Sequence, residues 1–473
     1  MDPGLPTERR RGAGEADRPA GIRNVEELLG HGRIAPRSLA LRVAGAGLAA
    51  CDPALAVERL VELRGDELIV DGRAHPIHPD GRVVVLGAGK ASLKIAWALE
   101  RILGDRIAGG TVVVRHDDAA QALERVELLE AAHPLPDERS LAAARRLLKQ
   151  ADELGERDLA IACFTGGSSA LASLPPTGVS ESDKRELHRL LLASGMPISK
   201  VNTVRKQVSA FKGGRLALAA APARLINLTV SDVAGDPLDA ITDPSVPNES
   251  SPADAIAVLR GHGLWDLVPD SVRSHLSDAR LAPPDLGGME IHSTFLVTGE
   301  TACEAMAREA GAAGAEPVVI STSLEDEAAS IGRVLGGLAA ESVLRGRPFP
   351  SPGALIGCGG EATVRLGPGD EFGRGGPNEE AALAAASRIE GLAAAAVFLD
   401  TDGSDGGSDL AGAICDGDTE RRAEAGEVDL RRALAEHRSG EAALALGDGI
   451  VTGPTHTNVN DLFVIALGKA DGA

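Results

Sequence analysis

The chain has no tyrosine, two tryptophans and only seven phenylalanines in 473 residues. So few aromatic faces argue against stacking on single-stranded bases. Cysteine is also scarce. Cys51, Cys163, Cys303, Cys358 and Cys415 are odd in number and form no CxxC, which excludes a disulfide framework and a zinc knuckle and predicts a reducing cytoplasm. Long apolar runs are missing, since stretches such as 392–399 fall far short of the roughly 20 residues a membrane span needs. Basic charge is in deficit, with 48 Lys and Arg against 69 Asp and Glu. The resulting net charge of −21 excludes general binding to nucleic acid or to anionic membranes.

What remains is a globular composition, 44% hydrophobic and 25% charged, long enough for two or three domains at about 150 residues each. Residues 1–21 carry charges of both signs and no apolar core, so they predict a disordered tail and no signal peptide. A helix is expected over 25–50 and a short strand pair over 67–75. Next comes an alternation of β-branched runs, at 83–86, 111–114, 159–164 and 225–230, with helical patterns at 91–102, 138–154 and 183–193. That rhythm predicts an α/β, Rossmann-like, doubly wound and mainly parallel sheet over 22–285. The Pro283-Pro284-Asp285-Leu286-Gly287-Gly288 run is the expected linker to a second α/β domain over 286–473. Strands are expected there at 294–297, 317–320, 354–357, 362–366, 395–399 and 462–467.

Glycine-rich turns sit where strands hand over to helices. Gly87-Ala88-Gly89-Lys90-Ala91-Ser92 follows the first strand and can present backbone N–H groups to an anion. It is no Walker A loop, lacking Gly at Val84 and Ser or Thr at Ala91. It is also a poor dinucleotide fingerprint, with Ser92 at the last small position and no acid ending the next strand at the usual distance. Only eight of the 48 cations are lysine, yet Lys90, Lys94, Lys206 and Lys212 all fall in or beside such motifs. A compact ammonium suits a moving phosphoryl group.

Gly166, Gly167, Ser168 and Ser169 form a second small-residue loop after the strand at 159–164. Asn202, Arg205, Lys206, Lys212 and Gly213 belong to a cationic stretch with no acid, in which Arg205, Ser209 and Lys212 would share one helical face. Asp232 and Asp236 follow the next strand, where a carboxylate can hold Mg²⁺ or accept a proton. In the second half, Glu361, Asn378 and Asp402 are the candidates for ligand contact, while Asp405 and Asp409 equally suit Asx turns. No GxSxG and no HExxH occurs, which disfavours those hydrolases.

Nine such segments in order, from Gly87-Ala88-Gly89-Lys90 through His133-Pro134-Leu135-Pro136 to Gly453-Pro454-Thr455 and Thr457-Asn458-Val459, resemble the glycerate 2-kinase family, with its DUF4147-like N-terminal and MOFRL C-terminal regions. The resemblance spans about residues 25–467. It implies two α/β domains facing a cleft and transfer of the ATP γ-phosphoryl group to the 2-hydroxyl of D-glycerate with a divalent metal, taken as Mg²⁺; a monomer or homodimer is expected. It further implies Lys90 at the phosphoryl site; the mechanism expected from the motifs places Mg²⁺ near Asp232 or Asp402 and has Arg205 and Lys212 clamp the acid. From its position alone Asp236 is the candidate proton acceptor, and Gly87, Gly89, Thr455 and Asn458 would lie in the binding motifs.

Two departures stand out. Family members usually read Gly-Gly-Arg-Asn-Gln-Glu where this chain has Gly375-Gly376-Pro377-Asn378-Glu379-Glu380, and a Ser-Gly-Pro-Thr stretch is replaced by Thr242-Asp243-Pro244-Ser245. Either Arg374 or Arg205 supplies the missing guanidinium, or the acid differs. The alternatives are a kinase of another sugar acid, an NAD(P)-dependent hydroxypyruvate reductase, and a non-catalytic sugar-acid binder.

Overall fold

The structure, a computed structural model, describes residues 19–116, 122–230, 241–278, 281–366 and 373–469. Val61–Arg64 (β1), Glu67–Val70 (β2) and Arg73–Pro76 (β3) form a small antiparallel meander. Val83–Ala88 (β4), Ile107–Arg115 (β5), Glu127–Ala131 (β6), Leu159–Phe164 (β7), Arg224–Val230 (β8) and Ile291–Val297 (β9) follow. These six are parallel throughout, in the order β6-β5-β4-β7-β8-β9. All residues of β4 and β7 are buried, which is why their sequences run apolar without alternation: helices cover both faces. The order doubles back between β4 and β7, so the crevice beyond their carboxyl ends is where a ligand is expected.

Glu316–Ser321 (β10), Gly353–Cys358 (β11), Ala394–Asp400 (β12), Gly412–Asp416 (β13), Gly449–Ile450 (β14) and Asp461–Leu467 (β15) build the second sheet, ordered β10-β11-β15-β12-β13-β14. Only its β10–β11 pair is parallel. Its alanine-rich helices pack closely. A side chain at Gly336, in the helix Ala328–Arg345, would come 3.1 Å from the Ala385 carbonyl oxygen of the helix Pro377–Ile389.

Several expectations are corrected. The strand foreseen at 294–297 does not open a second domain. It is β9, paired with β8 from Leu225↔Ile291 to Val230↔Val297, so the Pro-Gly run leads into the edge of the first sheet and the change of sheet comes after Val297. Residues 362–366 form no strand beyond one bridge from Thr363 to Glu327, because β10 and β15 already occupy both edges of β11. The helix foreseen over 25–50 is broken into Val25–Leu28 and Ile34–Ala50, with Gly32 at φ +71° between them. Of the foreseen tail, Pro19–Gly21 lie against Gly45 and Leu48, and Ile22 is buried.

The two large sheets share one core. Val83, Ile161 and Leu228 from the first and Ile356, Val397 and Val464 from the second belong to a single buried cluster, together with Leu41 and Met306 of the helices between them. Gly47 permits that approach, since a Cβ there would stand 2.9 Å from Met306 and 3.1 Å from Leu462. The fully buried Arg37 ties the N-terminal helix to the second sheet. It donates to Asp416 Oδ2 at 2.8 Å, Asp448 Oδ1 at 2.9 Å and the Leu28 carbonyl at 2.8 Å.

Candidate active site

The loops leaving β4 and β7 are stitched together. Lys90 N–H donates to Gly166 O at 2.9 Å, Thr165 N–H to Ala88 O at 3.1 Å, and Ala91 N–H to Thr165 Oγ1 at 3.1 Å. Glycine is required on the β4 side. A Cβ on Gly87 would run into Cys163, and Gly89, at φ +139°, would meet Thr165. The turn therefore holds Lys90 against the second loop, with the Gly167 Cα facing the Lys90 stem and His133.

Beyond these loops opens a cleft of about 830 Å³, between the carboxyl ends of the first sheet and the loops of the second. It is lined by nine of the residues singled out in the sequence: Lys90, Gly166, Gly167, Ser168, Ser169, Asn202, Arg205, Glu361 and Asn458. Residues from both halves are present, so neither half alone forms the site.

One wall is cationic. Arg205 bonds Asn202 Oδ1 and His188 Nε2, each at 3.4 Å, while Lys212 Nζ donates to Ser169 O at 3.0 Å. Burial, then the neighbouring Lys184 and Arg205, push Lys212 well below its ordinary value. Lys184 falls to about 7 by burial and by Arg215 and Arg205. His188 falls to about 3 by burial and the surrounding cations, so its imidazole is neutral. Burial is the larger cause of these shifts, and the crowded cations add to it, a part that an anionic ligand would relieve. The shared helical face is corrected: the helix Ile198–Gln207 ends before Ser209, whose Oγ captures the N–H groups of Phe211 and Lys212. That turn, and not helical spacing, carries Lys212 to Ser169.

On the other side of Lys90, outside the cleft lining, lies an acidic group at a small adjoining pocket lined by Asp402, Pro454, His456 and Thr457. Lys90 Nζ forms an ion pair with Asp402 Oδ2. Burial alone would lower Lys90, but Asp402, Asp400 and Glu361 outweigh it and hold the ammonium above its ordinary value. Burial likewise raises Asp402, yet Lys90 and the Ser404 donors win and keep it ionised. Asp400 is pushed well above the carboxylate range, first by burial and then by Asp402 and Asp461.

Several candidates do not reach the cleft. Asn378 is buried and ties Asp405 Oδ1, at 3.2 Å, to Asp461 Oδ1, at 2.6 Å. Thr455 donates to Thr401 O at 2.5 Å. Lys206 is buried away from the lining, and Gly213 serves a turn at φ +61° whose N–H reaches Asp243 O at 3.2 Å. Asp232 and Asp236 lie outside the described residues. Pro377 is the first residue of its helix, where no N–H is needed, and Arg374 is exposed beside Asp409, so Arg205 is the guanidinium at the cleft. Lys94 pairs with Asp52 at 2.9 Å. Sequence reasoning missed His188, Asp243, Glu325 and Asp326, all of which line the cleft. The position of Glu325 and Asp326 just after the β10 run offered a signal, as did the Thr242-Asp243-Pro244-Ser245 departure for Asp243.

Behind Asn378, Glu379 and Asp405 form a buried acid pair. Burial pushes Glu379 up to about 7, and burial together with Glu379 pushes Asp405 up to about 8. A carboxyl raised in the folded state stabilises below its unfolded pKa, and that contribution is lost as pH climbs through the folded value. Glu379→Gln is therefore expected to flatten the fall in melting temperature between pH 5 and 8 and to melt above wild type at pH 8. Parallel melting curves for the two proteins would contradict this.

Comparison with known proteins agrees with this architecture. Residues 39–277 match the model of a domain of unknown function, DUF4147, and residues 354–461 match the MOFRL family. A glycerate 2-kinase of Pyrococcus horikoshii is 38% identical, covering 92% of this chain and 98% of that one. An Agrobacterium vitis protein provisionally named hydroxypyruvate reductase is 40% identical, covering 92% and 95%. The crystal structure of a glycerate kinase from Thermotoga maritima superposes with a TM-score of 0.76 at 33% identity, covering 90% of this chain and 97% of that one. With both regions present in order around a shared cleft, the chain belongs to the glycerate kinase family, with a DUF4147 N-terminal and a MOFRL C-terminal region.

Proposed function

We propose that the protein transfers the γ-phosphoryl group of ATP to the 2-hydroxyl of D-glycerate, forming 2-phosphoglycerate and ADP. The observation that carries this is the placing of Lys90 at the topological switch point, facing a cleft that Arg205 also lines, with the buried Lys212 behind the Ser169 loop. An ammonium there follows charge on the transferring phosphoryl oxygens, and the backbone of the Gly166–Ser169 loop adds N–H groups. Arg205 binds the carboxylate of the acid, while Lys212, expected from the sequence to share that task, does not line the cleft and holds the Ser169 carbonyl instead. The free, buried thiols accord with a cytoplasmic setting.

The residues also suit Mg²⁺. Asp400, Asp402 and Glu361 crowd around the single ammonium of Lys90, and beyond burial this crowding raises Asp400. Among the described residues no group of three or more His, Cys, Asp or Glu is arranged to hold a metal. Mg²⁺ bound with a nucleotide commonly takes one or two protein carboxylates. Asp402 and Glu361 would supply these. When bound, Mg²⁺ neutralises phosphoryl charge.

Coupled ADP release with ATP, Mg²⁺ and a panel of C3 to C6 hydroxy acids tests the assignment. D-glycerate is expected to be the preferred acceptor. The Agrobacterium relative favours a second reading, for which NADH consumption with hydroxypyruvate is measured alongside; activity there without ADP release would replace the kinase assignment. Arg205→Ala is expected to raise KM for the acid about 10- to 100-fold, the worth of one or two hydrogen bonds to a charged group, with KM for ATP nearly unchanged. An unchanged KM for the acid would remove Arg205 from the acid site.

A further inference from the structure

The cleft has a third wall that belongs to neither sheet. The helices Glu181–Ala193, Ile198–Gln207, Pro252–Gly261 and Asp270–Leu276 bury an apolar cluster of their own, which includes Leu187, Val204, Leu259 and Val272. Among the described residues this cluster draws on nothing outside 179–276, whereas both large sheets contribute to one common core. Sheets that share a core cannot part without opening it to water. A cap with a separate core is free of that cost and can move as one unit.

The attachments of the cap are polar and lie where the chain crosses into it. Lys184 Nζ donates to Leu174 O at 2.9 Å and to Val208 O at 3.0 Å, so one ammonium pins the first two crossings together. Ala210 N–H joins the same Leu174 carbonyl at 3.0 Å, and Gln207 Nε2 donates to Ser250 O at 2.7 Å at the third crossing. Residues at element ends, gathered on one line, are what a hinge requires. The first crossing, Pro175-Pro176-Thr177-Gly178, holds Gly178 at φ +88° with open space around it.

Away from these crossings the cap overhangs the cleft. Asn202 and Arg205 line it from the helix Ile198–Gln207. Leu192 and Ile198 line it too, yet they are 51% and 39% exposed, apolar side chains that would gain by being covered. Glu325, Asp326 and Glu361 line the cleft from the second domain, with charge of the sign opposite to Arg205.

We propose that this helical cap turns about its crossings and closes the cleft over the bound acid, with Arg205 as the contact that couples binding to closure. This rests on the kinase reading. In the closed form the carboxylate on Arg205 bridges the cap to the loops around Lys90, a contact that favours that form over the open one. Closure covers Leu192 and Ile198 and excludes water from the reacting groups.

Spin labels test this. Leu267, on the cap, and Val334, in the helix Ala328–Arg345, are each 62% exposed and outside the cleft lining, and all five native thiols are buried. In the Leu267→Cys/Val334→Cys protein the distance between nitroxides, read by double electron–electron resonance, is expected to change by more than about 2 Å when D-glycerate and a non-hydrolysable ATP analogue are added. A Leu218→Cys/Val334→Cys pair, which spans the two sheets across their common core, is expected to stay within about 1 Å. Adding Arg205→Ala to the first pair is expected to remove its change at saturating acid. A smaller change in the first pair, an equal change in the second, or an undiminished one with Arg205→Ala would overturn the proposal. ADP release separates the two levels: release with D-glycerate while the labels stay still leaves the kinase reading standing and overturns the closure alone, whereas a wild type that releases no ADP with any hydroxy acid overturns both.

Discussion

Lys90→Ala is expected to lower kcat for ADP release about 10³-fold, comparable to losing one preorganised charge at a phosphoryl or oxyanion site. Lys90 is held between two stitched loops with its ammonium paired to Asp402. It meets the transition state already oriented, so its loss should appear in kcat more than in KM. The same substitution leaves Asp402 and Asp400 buried beside each other without their cation, and proton uptake there is the expected response. Lys90→Arg keeps the charge but replaces a compact ammonium by a planar fork, and only partial recovery is expected. Near-normal turnover of Lys90→Ala, measured on protein with wild-type circular dichroism, would end the assignment of Lys90 to the phosphoryl group.

The second large effect concerns stability. Arg37→Ala is expected to cost about 3–5 kcal/mol in denaturant unfolding, the usual penalty for removing one partner of a buried ion pair. Arg37 is fully buried and answers Asp416, Asp448 and the Leu28 carbonyl at once, joining the N-terminal helix to β13. Asp416 is raised by burial but lowered more by Arg37 and by the Asp418 and Arg33 N–H groups. A carboxylate depressed in the folded state stabilises above its unfolded pKa and ceases to do so as pH falls through the folded value. The gap between Arg37→Ala and wild type is therefore expected to narrow below about pH 4. A gap that is small at neutral pH, or widens in acid, would show that the contact is replaceable.

Much of the first sheet was legible because its signals are local. β7 is found over the residues its apolar run predicted, and the glycine turns after β4 and β7 lie where a parallel strand delivers its loop. Nine candidate residues consequently converge on the cleft. The less successful readings have particular causes. Asn378 looked like a ligand contact because it opens a helix, but its amide is consumed by Asp405 and Asp461, the latter 83 residues away. Lys212 was placed by helical spacing, whereas a serine turn ends the helix and redirects it. β9 was assigned across the Pro-Gly run because proline and glycine mark a loop without saying which sheet the next strand joins.

By itself the sequence determined what depends on neighbours along the chain: the α/β rhythm, the tight turns that only glycine permits, and the motif order that places the chain in its family. Tertiary structure alone decided which charges share a desolvated space. Lys90 and Asp402 are 312 residues apart, and the excess of cations at Lys212 and of acids at Asp400 exists only once the sheets close on a common core. Chain-local sterics and hydrogen bonds act over a few residues and leave a readable pattern. Electrostatics in a cleft depends on distance through space and on burial, neither of which exists before the chain has folded.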